Sequence, residues 1–280
     1  MYKTKVAKKI MSAVVITVIL TLILWPFFYI FVSSFKPLKE IMAKARVFPV
    51  KPTLKNYKTL IIARTPVRNF PRILYNSFVV SSLTAFFSIS VSSISGYGIA
   101  RSSRIRSGFV SKLMLFIYVF PTIVLLIPIY KTLIMLGLWN SHYGLVIIYT
   151  AINAPFCTWL LVSFFETIPK DLEESAQIDG ASGIAVFFRI IMPLATPGLI
   201  TVGVYSFITA WGEYMFALVM ISENIKKTAA LGLAMFTAEQ YIEWGPLLAG
   251  SILIMVPVFA LFLPISKFFI KGFTAGAVKE

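Results

Sequence analysis

Residues 171–193 read Asp-Leu-Glu-Glu-Ser-Ala-Gln-Ile-Asp-Gly-Ala-Ser-Gly-Ile-Ala-Val-Phe-Phe-Arg-Ile-Ile-Met-Pro. Five of the chain's 11 acidic residues fall between Glu166 and Asp179, so this segment is acidic in a chain that is otherwise basic and oily. Asp171, Glu173 and Glu174 crowd what reads as the first turn of a helix, where carboxylates interact favourably with the helix dipole. Pro169 suits that turn, because its missing N–H is not needed there. Asp179-Gly180 can reverse the chain, with glycine free to take positive φ, and Ser182 can cap a second helix. Ile184, Phe187, Phe188 and Ile191 follow at i, i+3, i+4 and i+7, one helical face. Pro193 then starts the next long helix. The pattern predicts a helix–turn–helix bracket lying along a membrane face.

The membrane follows from composition. Of 280 residues 58% are hydrophobic and 13% charged, whereas a globular domain carries roughly 25% charged residues. Charge-free stretches run over 10–35, 73–100, 113–130, 132–165, 190–212 and 244–266. A bilayer core of about 30 Å is crossed by about 20 helical residues, so each stretch is near or above spanning length. We expect an all-α integral membrane protein with six transmembrane helices near 10–33, 74–99, 108–130, 143–165, 194–218 and 247–268. These form a single transmembrane domain over 1–280. The first stretch reads as a retained helix, because its apolar run from Val14 to Val32 is longer than a signal peptide's. Between the first two helices a polar, proline-bearing segment over 34–72 is expected to lie across the outer face as loops and short helices.

Within the second helix, Ser81, Ser82, Ser88, Ser90, Ser92, Ser93, Ser95 and Gly96 suit close helix packing in lipid. Pro121 and Pro128 are expected to kink or break the third helix. The lone Cys157 cannot form an intrachain disulfide and lacks companions for a metal cluster. The lone His142 reads as a solvated residue at a helix connection. A net charge of +15 fits anionic headgroups and membrane orientation better than nucleic acid. With both termini inside, however, the lysines and arginines divide evenly between the two sides, ten of the outer ones lying in 34–72. Charge alone therefore leaves the topology weakly determined.

Glu174-Ser175-Ala176, Gly180 and Ile190-x-Met192-Pro193 stand in the register of the EAA motif of ABC-importer permeases, which this loop resembles. Ser175 and Met192 depart mildly from the family's alanine and leucine. Further stretches are similar to the carbohydrate permeases of the maltose-transporter type, in particular their shorter six-helix partner. They are Gly96-Tyr97-Gly98-Ile99-Ala100-Arg101, Ile127-Pro128-Ile129-Tyr130, Leu136-Gly137-Leu138-Trp139-Asn140, Asp179-Gly180-Ala181-Ser182 and Trp211-Gly212-Glu213. The tail over 269–280 also resembles one that reaches the ATPase dimer interface.

The resemblance implies a type I importer transmembrane domain in a prokaryotic cytoplasmic membrane, multi-pass, with both termini and the coupling loop 167–193 cytoplasmic. It implies transport of a sugar, most naturally a di- or oligosaccharide, by alternating access. Glu174, Ser175, Ala176, Asp179, Gly180, Ile190 and Pro193 are the expected ATPase-coupling residues, joined by Thr274, Gly276 and Lys279 of the tail. The implied partners are a second permease, two ATPase subunits, an extracytoplasmic solute-binding protein and membrane lipid, with no nucleic acid.

No P-loop pattern Gly-x-x-x-x-Gly-Lys-Ser/Thr occurs in the sequence, so no catalytic residue, metal site or bound cofactor is expected in this chain. ATP and magnesium belong to the partner ATPase. Trp139, Tyr205, Trp211, Glu213 and Tyr214 are candidates for the substrate pathway, because aromatic rings stack on sugars and an ionisable residue in a span is a functional hypothesis by default; for Glu213 the alternative is a structural hydrogen bond at the outer interface. The competing readings are a permease of the same type for a non-carbohydrate solute, an ion-coupled secondary transporter, and a membrane enzyme. A secondary transporter predicts midplane carboxylates and repeat symmetry, yet helices one to four and six carry no acidic residue in their cores. No His/Asp/Glu cluster supports the enzyme.

Overall fold

The computed structural model describes residues 2–43, 46–62, 69–102, 107–238 and 241–277, with backbone alone for 2–8, 107, 238 and 264–277. Two compact units form, residues 1–70 with 233–256 and residues 71–232 with 257–280.

The first unit begins with helix α1 (Tyr2–Ser34), whose apolar side chains over 9–31 stand largely exposed, as suits a helix facing lipid or another chain. Two short helices, α2 (Leu38–Ile41) and α3 (Lys55–Ile61), punctuate the segment that follows. Asn56 fastens it: its amide donates to the carbonyls of Ser34 and Lys36 at 2.8 and 3.0 Å. The buried Lys36 donates to Ser33 Oγ and to the Arg46 carbonyl.

In the second unit α4 (Phe70–Arg101) buries Ser77, Ser81, Thr84, Ser88 and Ser92 on one face. Among the described residues the hydroxyls of Ser81, Thr84, Ser88 and Ser92 find no hydrogen-bond partner. This face is therefore selected for small volume. The same logic continues at Gly96, where a Cβ would sit 3.2 Å from Leu161 Cβ.

Helix α5 (Ser107–Val119) stops before Pro121, and α6 (Leu126–Met135) resumes after a 3₁₀ turn over Thr122–Leu125, with a bend of 77°. Pro121 lacks an amide hydrogen and clashes with the preceding turn; Pro128 sits harmlessly in the first turn of α6. Helix α7 (His142–Glu166) starts at Ser141, whose side chain accepts from the Tyr143 amide, and runs through Pro155.

The bracket comprises α8 (Asp171–Ile178), α9 (Gly183–Val186), a π-helical segment over Phe187–Ile191 and α10 (Met192–Leu194). Helix α11 (Thr196–Gly212) leaves it through a second 77° bend. Pro193 thus lies in the short α10, and Pro197 is the proline at the start of the long helix. The expected fifth helix over 194–218 is interrupted at Glu213, which is extended at ψ 131°, and α12 (Met215–Met220) follows. The remaining elements are α13 (Ala229–Ala234), a two-residue hairpin pairing β1 (Thr237–Ala238) with β2 (Tyr241–Ile242), and α14 (Trp244–Ala277). Helix thus continues through Ala277, where the sequence reading ended it near 268.

Among the described residues four helices are long and apolar enough to span a membrane, and up to six if each bent pair counts as one span. The core of the second unit is two clusters. One gathers Leu145, Ile148 and Tyr149 of α7 with Phe216 and Met220 of α12; the other gathers Leu161 and Phe165 with Val186, Ile191 and Val202.

Candidate functional site

Helix α8 carries its three carboxylates in the first turn, but they face different surroundings. Glu174 and Asp171 are exposed, whereas Glu173 is buried. Glu173 Oε1 accepts from Arg101 Nε at 2.6 Å, and its Oε2 accepts from the Tyr97 hydroxyl at 2.6 Å. Arg101 also donates from Nη2 to the Ile168 carbonyl at 3.0 Å. Tyr97 and Arg101 lie one turn apart at the end of α4, so that end grips both the exit of α7 and the start of α8. The Tyr97 ring further contacts Phe165 and Phe187, with centroids 5.8 and 5.0 Å away.

The turn at the end of α8 is built by its sequence. Gly180 takes φ +89°, the left-handed region that glycine occupies without a Cβ penalty. Its N–H donates to the Gln177 carbonyl, and the Ala181 N–H to the Ala176 carbonyl at 2.9 Å. This double bond pattern is the Schellman closure, which satisfies carbonyls left over at the helix end. Ser182 Oγ then accepts from the Ala185 amide, as its capping role predicts. Pro169 falls one residue before the Lys170 cap and so lies outside the first turn.

The greasy face differs from the α-helical expectation. Val186, Phe187 and Ile191 are buried, while Ile184 and Phe188 are 74% and 61% exposed. The π-helical segment explains the difference. Its wider turn brings residues five apart into line, so Val186 and Ile191 share the inner face. Ala176 packs against that cluster, as does Ile190, while Ser175, Asp179, Gly180 and Pro193 lie on the exposed side. Ile178, 86% exposed, adds an apolar knob to the acidic surface.

The pathway candidates separate. Glu213 stands where α11 gives way to α12. Its carboxylate accepts from the amides of Phe216 and Ala217 at 2.8 and 3.1 Å and from the Tyr149 hydroxyl at 2.6 Å. It thereby satisfies backbone donors freed by the interruption. Tyr205 contacts Phe156, with ring centroids 4.5 Å apart. Trp211 is buried and stacks on Phe207, Tyr214 packs against the first core cluster, and Trp139 is exposed in the α6–α7 turn. Of the five, Glu213 is the one among the described lining residues of the pocket at Thr122, Tyr149 and Asn153. Thr274 and Gly276 lie in α14 with backbone alone described, and Lys279 lies outside the described residues. Among the described residues no cluster of His, Cys, Asp and Glu could hold a metal ion.

Sequence reasoning missed Glu173 and Arg101. The paired glutamates were visible, but not which of them faces inward.

The family model for the binding-protein-dependent transport system inner membrane component matches residues 88–274. The chain belongs to this family. The matched span of this inner membrane component holds the Arg101–Glu173 pair, the whole bracket and the broken helix at Glu213. It is 34% identical over 257 residues to the sulfoquinovosyl glycerol transport system permease protein SmoH of Agrobacterium fabrum, covering 91% of this chain and 89% of the relative. It is 32% identical over 278 residues to the trehalose/maltose transport system permease protein MalG of Thermococcus litoralis, covering 99% of each. Its fold matches a chain in the crystal structure of a bacterial ABC transporter involved in the import of the acidic polysaccharide alginate. There the TM-score is 0.75 and the identity 21%, covering 95% of this chain and 98% of the other. The fold of this inner membrane component is that of a type I importer transmembrane domain.

Proposed function

We propose that the chain is a permease subunit of an ATP-driven, binding-protein-dependent importer that carries a sugar, most naturally a di- or oligosaccharide, by alternating access. The observation that carries this reading is the family match over 88–274, together with relatives named for trehalose, maltose and sulfoquinovosyl glycerol. In this reading the chain sits in the cytoplasmic membrane of a prokaryote with both termini and the bracket on the cytoplasmic side. Its partners are a second permease, two ATPase subunits, a solute-binding protein outside and the surrounding lipid. The chain itself binds no cofactor, and ATP with magnesium sits on the ATPase subunits.

The bracket is the coupling element. Glu174 pairs with a basic residue of the ATPase, and the exposed Ile178 enters an apolar groove there. Gly180 has nothing of this chain within 4 Å of where a Cβ would stand, which leaves room for a partner's close approach. The tail residues Thr274, Gly276 and Lys279 make a further contact with the ATPase pair. ATPase closure then moves the bracket, and the permease pair rocks between its two openings; only contacts that differ between states can shift that equilibrium.

Purification of the assembled importer tests the reading. The chain should co-purify with an ATPase and a second permease, and Glu174→Lys or Gly180→Trp should abolish ATP-driven uptake while the chain remains in the membrane. Uptake at wild-type rate by both variants refutes the coupling role, and uptake by this chain alone in liposomes refutes the importer reading.

A further inference from the structure

The segment that follows α1 folds back against the end of that helix. Phe48 meets Phe28 of α1 edge-on, with ring centroids 6.2 Å apart. The apolar span runs over Lys9–Ser34, and Phe28 stands about 9 Å of helix before its end. The segment is therefore held at the depth of the membrane interface. Its rim is apolar, with Leu38, Met42, Phe48 and Val50 all exposed.

Within that rim lies a cavity of about 290 Å³, lined by Lys36, Glu40, Ala43, Arg46 and Val50. Lys36 is 3% exposed. Its carbonyl is pinned by the Asn56 amide, and its ammonium donates to Ser33 Oγ at 3.1 Å and to the Arg46 carbonyl at 2.6 Å. The Tyr29 ring centroid lies 4.8 Å from the same nitrogen. None of these partners carries a negative charge, and among the described residues Lys36 forms no ion pair. A buried charge without a counter-charge is costly, so the site calls for an anion.

Glu40 does not supply it. Its Oε2 accepts from the Val50 amide at 2.8 Å and its Oε1 from the Lys51 amide at 3.0 Å, which commits the carboxylate to backbone. The Arg46 side chain is exposed and makes no hydrogen bond or ion pair among the described residues. The wall thus carries two cations against one carboxylate. The wider segment over 34–72 has the same bias, with ten basic residues and Glu40 as its one acidic residue.

A guanidinium beside an ammonium complements a phosphate, and basic pockets at the membrane surface hold anionic headgroups. A zwitterionic lipid would bring a further cation beside Arg46. An acidic protein surface would have to cover the apolar rim, whereas a lipid matches both the charges and the rim.

We infer that this cavity binds the phosphate of an anionic phospholipid in the leaflet at the end of α1. Lys36 and Arg46 hold the phosphate, and Leu38, Met42 and Phe48 meet the acyl chains. The site requires only that α1 span the membrane, whichever solute is carried.

Native mass spectrometry of the chain with its co-purifying subunits, stripped of lipid and titrated with phosphatidylglycerol, phosphatidylcholine or inorganic phosphate, tests it. Phosphatidylglycerol should fill a saturable first site at least about tenfold more tightly than phosphatidylcholine. Arg46→Ala and Lys36→Met should each weaken that site about tenfold, the loss expected for one charge-assisted hydrogen bond. Lys39→Ala, which removes an exposed charge outside the cavity lining, should bind as wild type does. Equal binding of the two lipids, an unchanged first site in Arg46→Ala, or an equal loss in Lys39→Ala overturns the site. Inorganic phosphate that binds as tightly as the lipid and is lost in Arg46→Ala assigns the cavity to a free anion instead. Weaker docking of a solute-binding protein in Arg46→Ala, with lipid binding unchanged, assigns it to an acidic protein surface; either result overturns the lipid. If Lys36→Met fails to assemble, the exposed Arg46→Ala decides alone.

Discussion

Arg101 and Glu173 form a buried ion pair at 2.6 Å, with side chains 13% and 9% exposed, and it ties the end of α4 to the first turn of α8. The bracket is thus joined to the membrane helices by more than its two chain connections. The Tyr97 hydroxyl and the Ile168 carbonyl complete the arrangement, so the start of α8 is tied to the end of α4 and to the exit of α7. The acidic patch that reads as uniform in sequence separates into an anchoring carboxylate and outward-facing ones.

Removing one partner of that pair strands the other. A buried pair broken on one side costs about 3–5 kcal/mol, whereas replacing both partners by apolar groups is often near neutral. Glu173→Ala should therefore lower the melting temperature of the purified complex well below that of Arg101→Met combined with Glu173→Met. Equal melting temperatures for the single and double variants count against the anchor.

The neighbouring carboxylate behaves oppositely. Glu174 is exposed, and exposed substitutions typically shift stability by no more than about 0.5 kcal/mol. Glu174→Lys should melt with wild type yet lose ATPase subunits during purification. A variant that retains them in full stoichiometry shows that this side chain is not the docking charge.

A Cβ at Gly180 would meet nothing within 4 Å beyond its chain neighbours, so within this chain a small substitution there is opposed by backbone conformation alone. At φ +89° an ordinary L-residue loses about 1–2 kcal/mol, and asparagine tolerates that region better than a β-branched residue. Thermal unfolding should rank wild type above Gly180→Asn and Gly180→Asn above Gly180→Val. A Gly180→Val variant as stable as wild type is incompatible with this turn.

Glu213 closes the start of α12 through two amides. Glu213→Ala should cost about 0.5–2 kcal/mol, the usual range for losing a helix-capping side chain. Glu213→Gln keeps an acceptor and should cost less. Melting curves of the two variants separate these outcomes, and identical losses argue against capping.

Outside the spans, Glu223 has its pKa lowered below the ordinary 4.5 by its bond from Lys226, followed by that from Asn140. Asn140 is held at φ 55°, and its Oδ1 accepts from the amides of Ser222 and Glu223. A carboxylate with a depressed folded-state pKa contributes stability above its unfolded value and loses it as pH falls through the folded one. The melting-temperature difference between wild type and Glu223→Gln should be present at pH 7 and shrink below pH 4.5. Because the group is exposed, the difference should also fall with added salt. A gap that widens in acid contradicts the assignment.

Much of this molecule is legible in one dimension. Charge-free lengths imply spans because the bilayer fixes the number of residues a helix needs. Glycine at 180, serine at 182 and the carboxylates of the first turn imply the bracket because capping and dipole effects act within a few residues. Pro121 likewise announces a break, since the missing amide and the ring clash are local. What the sequence by itself determined, then, is governed by chain-local physics: the apolar spans, the break at Pro121, the Gly180 turn and the Ser182 cap, though not the interruption at Glu213.

Tertiary structure alone decided which residues meet. Glu173 and Glu174 are adjacent and chemically identical, and only the packing of α8 beneath the end of α4 makes one an anchor and leaves the other outside. The π-helical turn at Phe187–Ile191 moved Val186 inward and Phe188 outward, against the i, i+3, i+4 pattern. Asn153 accepts from Thr209 Oγ1, a residue far along the chain, so no local pattern announces the pair. Contacts of this kind are set by how helices pack, and packing is the sum of many distant side chains that no short window contains.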